Sequence, residues 1–156
     1  MRNKGFTLIE MLIVIVIITA LIGIALPRLR SMQSEGDYAK ARGESRTLQV
    51  AVESFYVHHT RQYPNPSTSV TTSWQASLTG ATPQILAGVL DDPFKPGTQY
   101  GYATDTASAT TAKYYVVFSV GPDGAADITG INDSGVIQGG PDDDIWVSNG
   151  TQPSGG

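Results

Sequence analysis

Six aspartates lie in the carboxyl-terminal part of the chain, within a stretch rich in glycine: Asp123, Asp127, Asp133, Asp142, Asp143 and Asp144. Carboxylates this close together repel one another unless water solvates them or a cation bridges them. Calcium fits best, because it takes about six to eight oxygen ligands in flexible geometry. Magnesium requires a tighter octahedron, and transition metals prefer His or Cys. No Glu closes a loop of EF-hand spacing. The pattern therefore predicts either a calcium site of another kind or a solvated acidic loop.

Glu10 is a second carboxylate in a distinctive setting, because it lies near the start of an otherwise apolar run from Phe6 to Leu26. A charged side chain at the centre of a bilayer costs roughly 2.5–3.5 kcal/mol on insertion scales, and less near one end. Charges retained in such segments are usually paired and functional. We therefore expect Glu10 to have a partner.

Catalytic chemistry has little support. The chain has no Cys, no Gly-x-Ser-x-Gly motif and no phosphate-binding Gly-Lys-Ser/Thr motif. His58 and His59 are adjacent, so they would point about 100° apart on a helix, and no third metal ligand has suitable spacing. Asp91 and Asp92 could in principle serve glycoside hydrolysis, but adjacent acids before a proline are more typical of turns. We predict that the protein is not an enzyme, with a secreted calcium-binding hydrolase as a remote alternative.

The apolar run from Phe6 to Leu26 is the element that positions Glu10. Its roughly 21 residues would form a helix of about 31 Å, enough to cross the hydrocarbon core of a bilayer. Arg2 and Lys4 precede the run, which by the positive-inside rule keeps the amino terminus in the cytoplasm. A cleaved secretory signal is the alternative, since Gly23–Ala25 supplies small residues, but the run is longer than such signals usually are.

Helical spacing continues beyond Pro27 to about Thr60. The residues that recur three or four apart form one stripe: Tyr38, Ala41, Ser45, Leu48, Val52, Phe55 and His59. The opposite side carries charged and polar residues, so this half of the helix is amphipathic while the first half is apolar all round. We expect the rest of the protein to pack on the stripe.

The sequence after the long helix predicts a small antiparallel sheet. Gln99–Tyr102 and Tyr114–Val120 have strand composition and would pair as a hairpin. Ser67–Thr82 reads as a loop with one short helix, and a further helix is predicted near Gln84–Leu90. A long helix covered by such a sheet predicts an α+β fold.

Composition limits the size and the partners of the protein. With 156 residues, only about a hundred remain outside the membrane, enough for one small globular head. The net charge of −4 and the absence of a basic patch argue against a nucleic-acid partner. Six of the eight basic residues after Gly5 lie between Arg28 and Arg61, whereas nine aspartates lie beyond Val89. This distribution could favour contacts between copies, or it could simply be a solvated acidic surface.

The stretch Gly5–Leu12, followed by the aliphatic run and Pro27, resembles the amino terminus of the type IV pilin superfamily, which includes the pseudopilins of type II secretion. The resemblance implies that a prepilin peptidase cleaves between Gly5 and Phe6 and that Phe6 is N-methylated. It also implies that many copies pack by their apolar helices into a helical filament. Glu10 would then meet the amino-terminal amine of Phe6 in a neighbouring subunit.

Later stretches resemble the G-type major pseudopilin of the type II secretion system. They are Leu90–Phe94, Tyr100–Tyr102, Val117–Gly124 and Asp143–Trp146. The chain departs from that pattern at Ser67–Thr82 and in a long insertion, Ala125–Gly140. The resemblance implies Ca²⁺ held by the backbone carbonyl of Val120 and by Asp123, Asp143 and Asp144, with Asp142 and Asp127 as weaker candidates. The ion would order the carboxyl-terminal loop.

Together these patterns and resemblances predict a pilin-like protein. Residues 1–5 would be a removed leader, residues 6–30 a transmembrane and filament-core helix, and residues 31–156 a periplasmic head that includes the second half of the long helix. The predicted function is that of a pseudopilus subunit that drives protein export. Its partners would be further copies, the prepilin peptidase, an inner-membrane platform with its ATPase, and minor pseudopilins. The alternative is a major or minor pilin of a type IV pilus on the cell surface.

Overall fold

The computed structural model describes residues 6–71, 73–108 and 110–151. Two helices precede five strands: α1 (Leu8–His58), α2 (Ala76–Thr79), β1 (Gly101–Thr104), β2 (Tyr115–Ser119), β3 (Ile128–Ile131), β4 (Ile137–Gly139) and β5 (Ile145–Ser148). The chain forms two compact units that divide between Gly36 and Asp37.

The described part of the first unit is dominated by the apolar half of α1. Leu8–Leu26 has a mean hydropathy of 2.9 over 19 residues, and none of it is buried. Side chains such as Leu8 and Ile24 are largely exposed. The segment is long and apolar enough to cross a membrane, which supports the predicted membrane helix.

In the second unit, α1 runs from Asp37 to His58, so the predicted continuation beyond Pro27 to about Thr60 is confirmed within two residues. Ala41, Leu48 and Val52 on the predicted stripe are buried. The helix ends where Thr60 and Arg61 adopt positive φ angles of 53° and 59°.

The sheet has the order β1-β2-β5 and is antiparallel throughout. Gly101 pairs with Phe118, which in turn pairs with Trp146 on β5. The predicted hairpin of β1 and β2 and the α+β fold are therefore confirmed. The third strand, β5, was not predicted.

Strands β1 and β2 are buried on both faces, and every residue of β2 is inaccessible to solvent, whereas β5 is partly buried. The α1 face packs against the helix through a cluster that contains Leu48, Val52, Trp74, Leu78, Tyr100, Tyr102, Tyr115 and Val117. The opposite face packs against a separate hairpin of β3 and β4 through Ala103, Val116, Phe118, Ile128, Ile131 and Ile137. The long insertion, expected as part of a loop, thus supplies a second hydrophobic layer.

The segment between α2 and β1 corrects one prediction. The short helix expected within Ser67–Thr82 is α2, but the helix predicted near Gln84–Leu90 is wrong, because that segment is irregular. Buried Gln75 replaces helical hydrogen bonding there: its Nε2 donates to the Leu90 carbonyl at 2.9 Å, and its Oε1 accepts from the Leu90 N–H at 2.8 Å. Leu86 is still buried, so the segment packs its apolar residues without forming a helix.

Candidate functional site

At the start of α1, Thr7 and Glu10 form a reciprocal pair of hydrogen bonds. The N–H and the hydroxyl of Thr7 each donate to Glu10 Oε2 at 2.8 Å, and the N–H of Glu10 donates to Thr7 Oγ1 at 3.3 Å. This is the capping-box arrangement, which satisfies backbone donors that the first helical turn leaves free. Glu10 therefore has a partner within its own chain. The predicted pairing with Phe6 of a neighbouring copy stays a prediction, and Gly5 lies outside the described residues.

The turn that follows β2 is held in place by Asp92, which is 1% exposed. One carboxylate oxygen accepts from the Ser119 hydroxyl at 2.8 Å and from the Phe94 N–H at 3.0 Å. The other accepts from the Val120 N–H at 2.8 Å. Asp92 thus positions Val120, whose carbonyl was predicted to bind the ion. The sequence indicated only a turn at Asp92, because its partners are 27 and 28 residues away.

The same turn packs closely on the segment before β5. Gly121 has a φ of +67°, and a Cβ at this position would lie 2.6 Å from the carbonyl oxygen of Asp143. The N–H of Asp123 donates to Asp143 Oδ2 at 3.3 Å. Only glycine permits this approach, which brings Asp123 and Asp143 together.

The start of β3 brings a third carboxylate to the same place. A Cβ on Gly139, whose φ is +100°, would collide with the carbonyl of Asp127, so glycine is again required. Asp144 Oδ2 accepts from the N–H groups of Asp127 and Ile128 at 3.0 and 2.8 Å. Asp144 therefore fixes the backbone that carries Asp127.

The result is an acidic cluster of Asp123, Asp127 and Asp143, in which one carboxylate oxygen from each residue lies within 4.8 Å of the other two. Asp123 is exposed, while Asp127 and Asp143 are partly buried. The weaker candidate, Asp127, thus joins two of the residues that the resemblance implied. Asp142, also a weaker candidate, is exposed and is not part of the group.

Asp144 lies beside the acidic cluster but contributes in another way. It is 9% exposed, and its Oδ1 is buried with no hydrogen-bond partner among the described residues. Burial raises the pKa of the Asp144 carboxyl, against the lowering effect of the hydrogen bonds from Ile128 and Asp127. An ionised carboxylate with one unpartnered buried oxygen is stabilised by a nearby cation. The donor set fits a hard, oxygen-binding ion; the binding of calcium itself stays a prediction.

Comparison with known proteins shows what the amino-terminal part of the chain is similar to. The model of the prokaryotic N-terminal methylation motif matches residues 1–26. The type IV major pilin protein PilA of Myxococcus xanthus (strain DK1622) is 40% identical over 55 residues, which are 35% of this chain and 25% of that protein. The amino-terminal segment of the chain is thus similar to that of type IV pilins. The match spans only about a quarter of that relative, and no solved structure matches the chain.

A segment of this kind is typical of pilin-like proteins, whether pilins or pseudopilins. Proteins of the pilin family are structural subunits, in agreement with the predicted lack of catalysis. The pilin signal and the apolar helix together indicate a membrane-anchored protein that is surface-exposed or periplasmic.

Proposed function

We propose that this chain is the structural subunit of a pseudopilus that drives protein export through a type II secretion system. The observation that carries the filament role is the apolar half of α1, whose 19 residues from Leu8 to Leu26 are wholly unburied within the subunit. A helix that is apolar all round requires cover from lipid or from other helices. A membrane supplies that cover before assembly, and neighbouring copies supply it in a filament.

The pseudopilus is favoured over other filaments by the carboxyl-terminal half. Its later stretches resemble the G-type pseudopilin, and two of the three acids in the acidic cluster, Asp123 and Asp143, are among the ligands that this resemblance implies. In this proposal the head lies in the periplasm of a bacterium, and the helix anchors it in the inner membrane. An assembly platform with its ATPase would extend the filament, and minor pseudopilins would join it.

A subunit of a surface type IV pilus is the second candidate, favoured by the similarity to a type IV major pilin. Deletion of the gene separates the two. Loss of secreted proteins from the medium, with surface filaments unchanged, supports the pseudopilus. Loss of sheared surface filaments with normal secretion supports the pilus. Restoration by the unmodified gene is the control.

Processing is tested by the residue before the proposed cut. A Gly5→Val chain is expected to keep its full amino terminus, because a bulky side chain there obstructs the peptidase. Mass spectrometry of the purified chain distinguishes the outcomes. A Gly5→Val chain that is still shortened by five residues contradicts this site. A mature terminus near Leu26 would instead support the secreted hydrolase.

Two substitutions at Glu10 separate its roles in capping and in charge pairing. Gln can replace Glu in a capping box but carries no charge, whereas Ala removes both functions. We expect Glu10→Gln and Glu10→Ala to insert normally and to lower filament yield alike, because the amine of Phe6 loses its anionic partner. Normal assembly of Glu10→Gln with loss in Glu10→Ala would assign Glu10 to capping alone.

For the head, we propose that Ca²⁺ binds the acidic cluster, with the carbonyl of Val120 and Asp144 as additional oxygen donors. The ion would neutralise carboxylates that otherwise repel and would hold the turn after β2 against β3 and β5. Because the chain has no cysteine, no disulfide can hold these segments together. A ligand that binds only the native state adds about 2.7 kcal/mol at a hundredfold excess over its Kd.

Thermal unfolding of the full chain in detergent, with calcium and with chelator, tests the ion. We expect calcium to raise the Tm of the unmodified chain and of Asp133→Ala, which alters an exposed acid outside the cluster. The double variant Asp123→Ala/Asp143→Ala should lose the response. A Tm that calcium leaves unchanged, or a response that survives the double variant, supports the solvated loop instead.

A further inference from the structure

A cavity of about 250 Å³ opens between the second half of α1 and strand β5. Its walls are formed by Arg42, Ser45 and Arg46 from the helix and by Ile145, Trp146 and Val147 from the strand. Residues three and four apart on a helix share a face, so Arg42 shares a face with both Ser45 and Arg46. We call this space the arginine cavity.

Ser45 is the unexplained group in the arginine cavity. It is fully buried, and its hydroxyl has no hydrogen-bond partner among the described residues. Buried polar side chains nearly always have a partner in the protein, in water or in a ligand. A hydroxyl in the wall of a cavity that two arginines also line can donate to an oxyanion, so the unpartnered group indicates an anionic occupant.

Arg42 and Arg46 also indicate that an anion occupies the arginine cavity. Arg42 and Arg46 are exposed, and within the described ranges the salt bridge is Lys40 with Glu44 at 3.9 Å, which involves neither of them. Like charges one helical turn apart repel each other, and an anion between them removes that repulsion. The guanidinium fork matches a carboxylate, and the apolar side of the cavity strengthens such a bond by excluding water.

The chain carries a matching excess of carboxylates. Nine aspartates lie beyond Val89, and none of them forms a salt bridge in the part of the chain that the structure describes. Asp91 and Asp142 are exposed, and their carboxylates accept no hydrogen bond from the described residues. The basic helix and the acidic head of one subunit therefore leave their charges available to another copy.

We propose that the arginine cavity binds the carboxylate of Asp91 or Asp142 from a second copy of this chain, with Arg42, Arg46 and the Ser45 hydroxyl as donors. This inference rests on the proposed filament function and names one contact between its subunits. Each copy presents the arginine cavity and, elsewhere on its surface, an exposed acid, so the contact repeats from copy to copy, as an open filament requires.

Charge reversal in cells, with sheared filament yield as the readout, tests the contact. Arg46→Glu is expected to lower the yield at least about tenfold, since it places like charges in the contact. Lys113→Glu, an equal change of charge at an exposed residue outside the cavity, should assemble normally. A swap in the same chain, Arg46→Glu with Asp91→Arg or with Asp142→Arg, should restore assembly.

Separate controls distinguish loss of this contact from loss of protein stability and from failure of the proposed function. The Tm of each full-length variant in detergent should equal that of the unmodified chain. If Arg46→Glu is unstable, the double variant Arg42→Gln/Arg46→Gln takes its place, because it removes both charges and keeps long side chains. Normal assembly of these arginine variants overturns the inference and leaves the proposed function intact. Failure of both swaps to restore assembly also overturns it. Absence of filaments from the unmodified chain would refute the proposed function, and this contact with it.

Discussion

Asp92 connects the turn after β2 to the rest of the head, and replacing it with Ala tests how much that connection contributes. Its carboxylate accepts three hydrogen bonds, from the Ser119 hydroxyl and from the N–H groups of Phe94 and Val120. Ser119 is fully buried and Val120 is 7% exposed, so neither donor is solvated from the surface when the acceptor is removed.

The magnitude follows from those two orphaned donors. Each buried donor left without a partner costs about 1–3 kcal/mol, so we expect Asp92→Ala to lower the free energy of unfolding by about 2–6 kcal/mol. Typical domains are stable by only about 5–15 kcal/mol. The Tm of a head of this size should therefore fall by at least about 6 °C. Asp92→Asn keeps one acceptor oxygen and should lose less.

Near-ultraviolet circular dichroism of the full chain in detergent is the appropriate assay, because Trp74 and several tyrosines lie in the core of the head. Asp91→Ala is the matched control, since Asp91 is adjacent and exposed and should change stability by less than about 0.5 kcal/mol. Equal melting temperatures for Asp92→Ala and Asp91→Ala would refute the reasoning. The calcium response should also weaken in Asp92→Ala, because the turn that carries Val120 loses its support.

Three further predictions concern the head. Gly121→Ala should cost more stability than Gly124→Ala, because both residues have positive φ but only Gly121 contacts backbone; equal losses of about 1 kcal/mol would contradict the contact. Leu48→Ala should cost about 2–5 kcal/mol in denaturant unfolding and exposed Val50→Ala less than about 0.5, and similar values would place Leu48 outside the core. Burial, aided by Glu53, raises the pKa of Tyr63 to about 12. Folding therefore favours the neutral form of Tyr63. The stability that this group contributes is present below about pH 10 and is lost as the pH rises towards 12. A Tyr63→Phe chain with the same dependence of Tm on pH would contradict this contribution.

The tyrosines that face α1 also show how the helix is joined to the sheet. The hydroxyl of Tyr100 donates to Glu44 at 2.7 Å, and that of Tyr115 donates to Glu53 at 2.8 Å. Burial and the glutamate partner raise the pKa of both tyrosines, so folding favours the protonated hydroxyls that donate these bonds. Periodicity identified the helical stripe, but it could not pair these glutamates with residues 56 and 62 positions away.

The sequence pattern was sufficient to predict those helices and strands that depend on residues close together in the chain. The apolar run predicted the first half of α1, the stripe through Leu48 and Val52 predicted the second half, and β-branched and aromatic residues predicted β1 and β2. The amino-terminal motif was sufficient for the resemblance to pilins, because it is a contiguous signal within residues 1–26. In each case the residues that determine the structure are neighbours in the chain.

Tertiary structure decided which acids meet and which surfaces are paired. Asp127 joins Asp123 and Asp143 only because β3 and β4 fold the insertion back on the sheet, where Asp144 holds the backbone of Asp127. The arginine cavity likewise depends on β5 lying beside α1, about a hundred residues away in the chain. A sequence lists carboxylates, arginines and a serine without their distances. Strand register and close glycine contacts set those distances, and they depend on the packing of the whole head.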